Sequence, residues 1–286
     1  MKKKVLIIVN VGKDESKLLA NEISSYLEGL DYNVDLFNFD GFCKNKTFKG
    51  YEFVVTLGGD GTVLYAARNC VENDIPIFPI NLGQFGFMAP IQPKAWKEYM
   101  EALIRGESCF QNRCLLRASL IRDEKVICEN LALNDIVINA KASSATVFLF
   151  INYDNQLLCR LKSDGVIVSS PTGSTAYSAS AGGPIVDPTM DAFVMTPLNS
   201  FSLSSRPIVL NAEGTLEINL QPCRTKSVNL TIDGQPPISL QTGDKIRIVR
   251  NDKKIKLLFC DEEKFYNSLR SKLIWRGEPY DGRIKY

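Results

Sequence analysis

The chain has 286 residues, enough for roughly two domains and a substantial core. Lys and Arg total 34 and Asp and Glu total 32, and the resulting net charge of +2 shows none of the basic excess that marks nucleic-acid modules. Histidine is absent, which excludes Ser-His-Asp and Cys-His catalysis and imidazole proton shuttles, and leaves acid-base chemistry to carboxylates, Lys, Tyr, Cys or a metal-bound water.

The opening lysines and the apolar run at residues 5–9 resemble the start of an export signal. The run stops at Asn10, and the charges Lys13, Asp14 and Glu15 follow, so it is too short for export. No stretch approaches the roughly 18 apolar residues of a spanning helix. The eight cysteines (43, 70, 109, 114, 128, 159, 223 and 260) show no Cys-x-x-Cys spacing, which fits reduced thiols in a soluble, cytoplasmic protein.

The run at 5–9 reads as a strand, and Leu18, Leu19, Ile23, Tyr26, Leu27 and Leu30 then fall on one helical face. Further apolar runs at 34–39, 53–57 and 75–80 alternate with helical stretches at 62–70 and 93–105, the rhythm of a parallel sheet covered by helices. Residues 1–113 are therefore predicted to form a Rossmann-like α/β domain. Beyond Arg113 short β-rich runs take over, separated by turn pairs such as Asp154-Asn155, Asp233-Gly234 and Gly243-Asp244, so residues 114–261 are predicted to be all-β. From residue 262 helical spacing returns, with Phe265, Tyr266, Leu269 and Leu273 on one side, and this helix is expected to pack back on the first domain.

The first chemical signal is Gly58-Gly59-Asp60-Gly61-Thr62, directly after a strand and before a helix. Ligands of open parallel sheets bind at such strand ends, glycines let backbone N–H groups approach a phosphate, and the helix N-terminus favours negative charge. A carboxylate among these glycines makes sense if Asp60 accepts a proton or shares a cation with the phosphate; otherwise it only caps the helix. No G-x-x-x-x-G-K-[ST] pattern occurs, which excludes a P-loop kinase.

The second signal is the stretch 169–183, in which 13 of 15 residues are Ser, Thr, Ala or Gly. It follows a buried-type strand and holds one aromatic, so it suits a surface where a polar ligand lies close to backbone with Tyr177 available to stack on a base. Two weaker signals are Asn134-Asp135, which interrupts two apolar runs, and Asn81-Leu82-Gly83-Gln84-Phe85-Gly86-Phe87, a loop after a strand. Each reads equally as a turn or bulge.

Taken in order, these segments resemble the NAD kinase family of the bacterial type. Gly58 to Gly61 match its Gly-Gly-Asp-Gly loop, Asn81 to Phe87 its Asn-x-Gly-x-x-Gly-Phe loop, Asn134-Asp135 its Asn-Glu pair, and Thr172 to Tyr177, with Asp164 upstream, its long Thr-Gly-Ser-Thr-Ala-Tyr signature. Asp233-Gly234-Gln235 and Leu269-Arg270-Ser271-Lys272-Leu273 complete the pattern. The resemblance implies an α/β domain, a C-terminal β-sandwich domain, an active site between them and homo-oligomers, dimers or tetramers. It implies transfer of the terminal phosphoryl group of ATP, another triphosphate or polyphosphate to the 2′-hydroxyl of the adenosine ribose of NAD.

On that reading Asp60 is the general base, the donor phosphates lie along the amides of Gly58, Gly59, Gly61 and Thr62, and Mg²⁺ rides on those phosphates. The family pattern places NAD against Asn134, Asp135, Asp164 and the residues Thr175, Ala176, Tyr177, Ser178, Ala179 and Ser180. It also brings in Phe85 from the Asn81 loop, with Lys162 and Gln235 as polar contacts. Three departures stand out: Asp135 where Glu is usual, Lys162 where Arg is frequent, and Asn199-Ser200-Phe201 where Cys-Pro-His often occurs. A lipid kinase of the diacylglycerol or sphingosine type shares the glycine loop, but it calls for an apolar tunnel and not for a Thr175-Ala176-Tyr177 surface. A catalytically silent NAD sensor has no need of Asp60.

Overall fold

The computed structural model describes residues 2–41, 46–83, 86–141, 145–202, 204–223, 227–259, 265, 266, 269 and 270. The chain opens with β1 (Lys4–Asn10), α1 (Asp14–Gly29), β2 (Asn33–Phe39), β3 (Phe53–Gly58), α2 (Asp60–Cys70), β4 (Ile77–Asn81), α3 (Trp96–Ile104) and β5 (Cys109–Arg113). Residues 5–9 of β1 are buried on both faces, which makes it a central strand, whereas β2 is largely exposed at the sheet edge. Alternation along the strands sorts the core into two layers. Val5, Ile7, Val9, Val55 and Leu57 meet α1 and α3 through Ile23, Leu27, Trp96 and Met100. Leu6, Ile8 and Val54 face the other way, onto α2. α2 is buried nearly all round because its outer side meets Leu115 and Leu133 of the following region.

The strands β6 (Leu116–Arg122), β7 (Lys125–Ala132), β8 (Asp135–Ala140), β9 (Val147–Tyr153), β10 (Gln156–Ser163) and β11 (Gly165–Ser169) come next. A 3-10 turn (Thr172–Thr175) and the one-turn helix α4 (Tyr177–Ser180) follow. The series continues with β12 (Ala192–Leu198), β13 (Ile208–Asn211), β14 (Leu216–Leu220), β15 (Val228–Ile232), β16 (Ile238–Leu240), β17 (Lys245–Arg250) and β18 (Ile255–Phe259). Two antiparallel sheets, ordered β10-β9-β14-β17-β6-β7 and β13-β12-β11-β8-β15-β16, enclose one core. Leu149, Ile218 and Ile246 reach into it from the first sheet, and Ile138, Val166 and Phe193 from the second. The anticipated turn chemistry is visible in the backbone: Asp154 and Asn155 have φ of 48° and 63°, and Asp233 and Gly234 have φ of 46° and 65°.

The N-terminal sheet has the order β2-β1-β3-β4-β18-β5, with β1 to β4 parallel, β18 parallel to β4, and β5 antiparallel to β18. The sequence reading grouped residues 255–259 with the all-β segment 114–261, but β18 joins the first sheet. Its residues Ile255, Leu257 and Leu258 are buried in the N-terminal core clusters. Order reversal between β1 and β3 creates a topological switch point, and the strand ends there are Asn10 and Gly58. Most of the helix expected over 262–273 lies outside the described residues. Phe265 and Leu269 are buried with Phe259, Phe87 and Ile185, and Tyr266 Oη donates to Asp187 Oδ2 at 3.1 Å. No helix among the described residues is long and apolar enough to cross a membrane.

Candidate active site

β3 delivers Gly58 to the switch point and α2 starts at Asp60. A Cβ on Gly58 would sit 2.1 Å from Thr62 Oγ1, so glycine lets the helix begin immediately after the strand. The Asp60 carboxylate turns toward the loop after β4, where Oδ2 accepts from Phe87 N at 3.0 Å and Oδ1 from Met88 N at 3.3 Å. Gly86 has no room for a side chain there, because a Cβ would lie 2.6 Å from Asp60 Oδ1. Asn81 Oδ1 accepts from Gly83 N at 2.8 Å and shapes the start of the same loop. Phe85 lies outside the described residues.

A cavity of about 430 Å³ opens beside the glycine turn. Gly59 lines it from the turn, Gly61, Thr62 and Arg68 from α2, Asn10 and Lys13 from the end of β1 and the turn after it, and Asp233, Gly234 and Gln235 from the turn after β15. Lys13 Nζ donates to Leu82 O at 2.5 Å, which ties the β1 turn to the β4 loop. Thr62 Oγ1, Arg68 Nε and Gln235 Nε2 are buried with no hydrogen-bond partner among the described residues. Buried polar atoms are normally paired, so these leave hydrogen-bonding capacity unmet beside the cavity.

A second cavity, of about 420 Å³, is lined by Asn134, Asp135, Val137, Asn139, Ala176, Tyr177 and Thr231. It shares Leu64, Asp233 and Gly234 with the first, so the two spaces meet across that strip. Asn134 Oδ1 is buried and likewise unpartnered among the described residues. Asn134 and Asp135 stand at the junction where the chain passes from β7 in one antiparallel sheet to β8 in the other. That passage explains the polar interruption in the sequence. The Asp135 carboxyl is pushed up to about 7, first by burial and then by the neighbouring charge of Asp233.

The small-residue stretch packs under this cavity. A Cβ on Gly173 would lie 2.1 Å from Asn134 O, so glycine permits backbone-to-backbone contact. Ser170 Oγ donates to Leu133 O at 2.5 Å and accepts from Gly173 N at 3.2 Å; Ser174 Oγ accepts from Val186 N at 3.0 Å; Ser178 and Thr196 share a hydroxyl contact at 2.9 Å. Many of the hydroxyls therefore hold the loop, while Ala176 and the half-exposed Tyr177 face the cavity. Thr175 Oγ1 donates to Thr172 O at 3.2 Å, and Ser178, Ala179 and Ser180 line neither cavity.

Lys162 and Asp164 sit elsewhere. β11 pairs Ser169 with Asp135 and Gly165 with Asn139, so Asp164 is just beyond the opposite end of the strand, roughly 17 Å along it. There Asp164 Oδ2 accepts from Asn199 Nδ2 at 2.9 Å, and Lys162 Nζ lies 5.2 Å from the Phe201 ring centre. Sequence reasoning did not pick out Lys13 and Arg68. Arg68 carried a usable signal, being the lone cation in an apolar helix.

Comparison with known proteins supplies the family. The model of the ATP-NAD kinase N-terminal domain matches residues 37–108, and that of the ATP-NAD kinase C-terminal domain matches residues 133–259. The NAD kinase of Treponema denticola is 42% identical over 276 residues, covering 96% of this chain and 97% of that protein. The NAD kinase of Treponema pallidum is 37% identical over 281 residues, covering 98% and 92%. Among solved structures, yeast NADH kinase complexed with NADH shares the fold with a TM-score of 0.88 at 24% identity, covering 100% of this chain and 90% of that one. An NAD kinase from Archaeoglobus fulgidus in complex with ATP has a TM-score of 0.72 at 25% identity, covering 93% and 96%. With both domains matched in order and relatives alike over nearly their whole length, the chain belongs to the NAD kinase family and is an enzyme that phosphorylates NAD.

Proposed function

We propose that the cavity beside the glycine turn holds the phosphoryl donor and that the cavity at Asn134-Asp135 holds the adenosine end of NAD, whose 2′-hydroxyl is phosphorylated across their shared strip. The observation that carries this reading is the meeting of the two cavities at Leu64, Asp233 and Gly234, the first lined by residues with the buried atoms Thr62 Oγ1, Arg68 Nε and Gln235 Nε2 and the second with Asn134 Oδ1, none with a partner among the described residues. Donor phosphates of ATP, another triphosphate or polyphosphate lie against the amides of Gly58, Gly59, Gly61 and Thr62 at the N-terminus of α2, with Lys13 as a cation beside them. Thr62 Oγ1 is buried and unpartnered among the described residues, an oxygen that suits Mg²⁺ carried on those phosphates; the ion, when bound, neutralises phosphate charge.

Asp60 is the base. As the ribose oxygen forms its bond to the terminal phosphorus and the bond to the leaving phosphate breaks, the hydroxyl proton passes to the Asp60 carboxylate. A carboxylate can accept several hydrogen bonds, so the amides of Phe87 and Met88 orient Asp60 while leaving it able to take a proton. Asn134 and Asp135 bind ribose hydroxyls and Tyr177 stacks on the adenine, with Thr175, Ser178, Ala179 and Ser180 shaping the loop beneath it. Gln235 closes the donor side, and Phe85 the loop after β4. Lys162 and Asp164 serve the nicotinamide end of a dinucleotide extended along β11. The polar lining by Asn134, Asp135, Asn139 and Thr231 favours a dinucleotide over a lipid acceptor.

In the same reading the chain forms two domains, 1–113 rejoined by its C-terminal end and the antiparallel sheets from 114 onward, and it assembles as a cytoplasmic homo-oligomer, a dimer or tetramer. The test is incubation with NAD, ATP and Mg²⁺ followed by an NADP-specific dehydrogenase readout. Absence of NADP with every triphosphate and with polyphosphate would refute the reading.

A further inference from the structure

Arg68 and Asp233 are 165 residues apart in sequence, yet Arg68 Nη1 donates to Asp233 Oδ2 at 2.9 Å, with side-chain exposures of 7% and 0%. Asp233 does more than neutralise Arg68. Its Oδ2 also accepts from Leu133 N at 2.9 Å, and its Oδ1 accepts from Asn134 N at 2.8 Å and Asp135 N at 3.1 Å. Its own N–H donates to Asp135 O at 2.9 Å. The carboxylate thus holds the backbone of three consecutive residues that include the Asn134-Asp135 pair. The left-handed turn at Asp233, with φ of 46°, aims the side chain back across β15 onto the start of β8.

Arg68 belongs to α2, the helix that begins at Asp60, about 12 Å or eight residues away along its axis. It lies one turn after Leu64, and both line the donor cavity. A buried ion pair is poor value for stability alone, since an apolar pair of similar volume often does as well. Its geometric use is plain: one end is rigidly part of the donor helix and the other is the clamp on the acceptor pair.

We propose that Arg68 and Asp233 are positioning residues that set the acceptor pair Asn134-Asp135 in register with the donor helix. The proposal rests on the assignment of donor and acceptor to the two cavities made above. Loss of the arginine releases Asp233 from α2, the Asn134-Asp135 backbone loses its fixed place, and NAD binding weakens even where the fold survives.

The experiment compares Arg68→Met, Arg68→Lys and wild type by melting temperature and by calorimetric titration with NAD without donor. Leu27→Ala, a core change under α1, supplies a destabilised control, and Asn134→Ala tests the cavity assignment. The expected result is a rise of about tenfold or more in the NAD Kd of Arg68→Met, a return to within about threefold in Arg68→Lys, whose ammonium still pairs with Asp233, and an unchanged Kd in Leu27→Ala. An Arg68→Met protein that melts earlier but binds NAD within twofold of wild type overturns the proposal and leaves the pair a purely structural one. If Asn134→Ala also leaves the Kd unchanged, the assignment of the acceptor cavity has failed, and the proposal with it.

Discussion

Replacing Asp60 by Asn separates the proposed role of general base from the loop contacts that the structure gives the same carboxylate. Each oxygen accepts from one amide of the loop after β4, Phe87 N at 3.0 Å and Met88 N at 3.3 Å. An asparagine keeps one acceptor and turns the other position into a donor that faces a donor. The longer Met88 contact is the one it gives up, so the cost sits at the low end of the range for an unmade buried bond, about 1 kcal/mol. For a chain of this size that is roughly 2–4 °C in melting temperature. Loss of the base is a separate and larger effect, about 10²- to 10⁴-fold in turnover. The assay is NADP formation at saturating NAD and ATP, with NAD affinity and the melting curve measured on the same preparation. The expected outcome is near-normal NAD binding, a small thermal shift and a turnover loss of at least about 10²-fold. Turnover within about tenfold of wild type, with the same small shift, would mean that the ribose proton goes to another acceptor and that Asp60 serves only to hold the loop.

Other expectations concern the rest of the site. With the Asp135 carboxyl raised from 3.8 to about 7, the native state holds more protons than the unfolded chain between those values, so its contribution to stability is complete below about pH 4 and is lost as pH rises through 7. Asp135→Asn should flatten that decline, by at most about 4 kcal/mol; parallel denaturation midpoints from pH 4 to 8 would contradict the burial argument. Gly173→Ala pushes a methyl to within 2.1 Å of Asn134 O, where backbone meets backbone, and should cost about 1–3 kcal/mol together with NAD affinity; unaltered melting and binding would show that the loop shifts freely. Lys13→Met removes the cation beside the glycine turn and should raise the KM for ATP about tenfold while leaving the NAD Kd within twofold. An unchanged KM for ATP would place the donor phosphates elsewhere.

Local pattern accounts for much of what the sequence revealed. Burial on both faces of a central strand, the existence of α1 and the turn pairs at 154–155 and 233–234 are short-range consequences of side-chain period and backbone sterics, and the structure reproduces them, although on α1 only Leu19, Ile23 and Leu27 of the apolar set are buried while Leu18 and Leu30 are exposed. The Gly58-Gly59-Asp60-Gly61 loop was legible for the same reason, since strand, glycine turn and helix start are contiguous. The sequence suggested a ligand surface at 169–183 but did not sort its hydroxyls. Only packing shows that Ser170 and Ser174 hold the loop while Tyr177 faces the cavity at Asn134-Asp135.

Partner choice was beyond local pattern. Ile255–Phe259 has the apolar run of any buried strand, and nothing within those residues says that it pairs with β4 and β5 rather than with the antiparallel sheets around it. Lys162 and Asp164 stand near Asp135 in the motif order, but the register of β11 against β8 puts Asp164 at the far end of β11, and Lys162 belongs to β10 in the other sheet. Arg68 meets Asp233 only because α2 is wedged between the first sheet and the chain's crossing from β7 to β8. By itself the sequence determined the element types, the glycine loop and the class of reaction, because each is written in contiguous residues. The tertiary structure alone decided which sheet the last strand enters, which polar groups face a cavity and how α2 is tied through Arg68 and Asp233 to the Asn134-Asp135 backbone. Those contacts join residues from a dozen to 180 positions apart, and their geometry exists only after the core has packed.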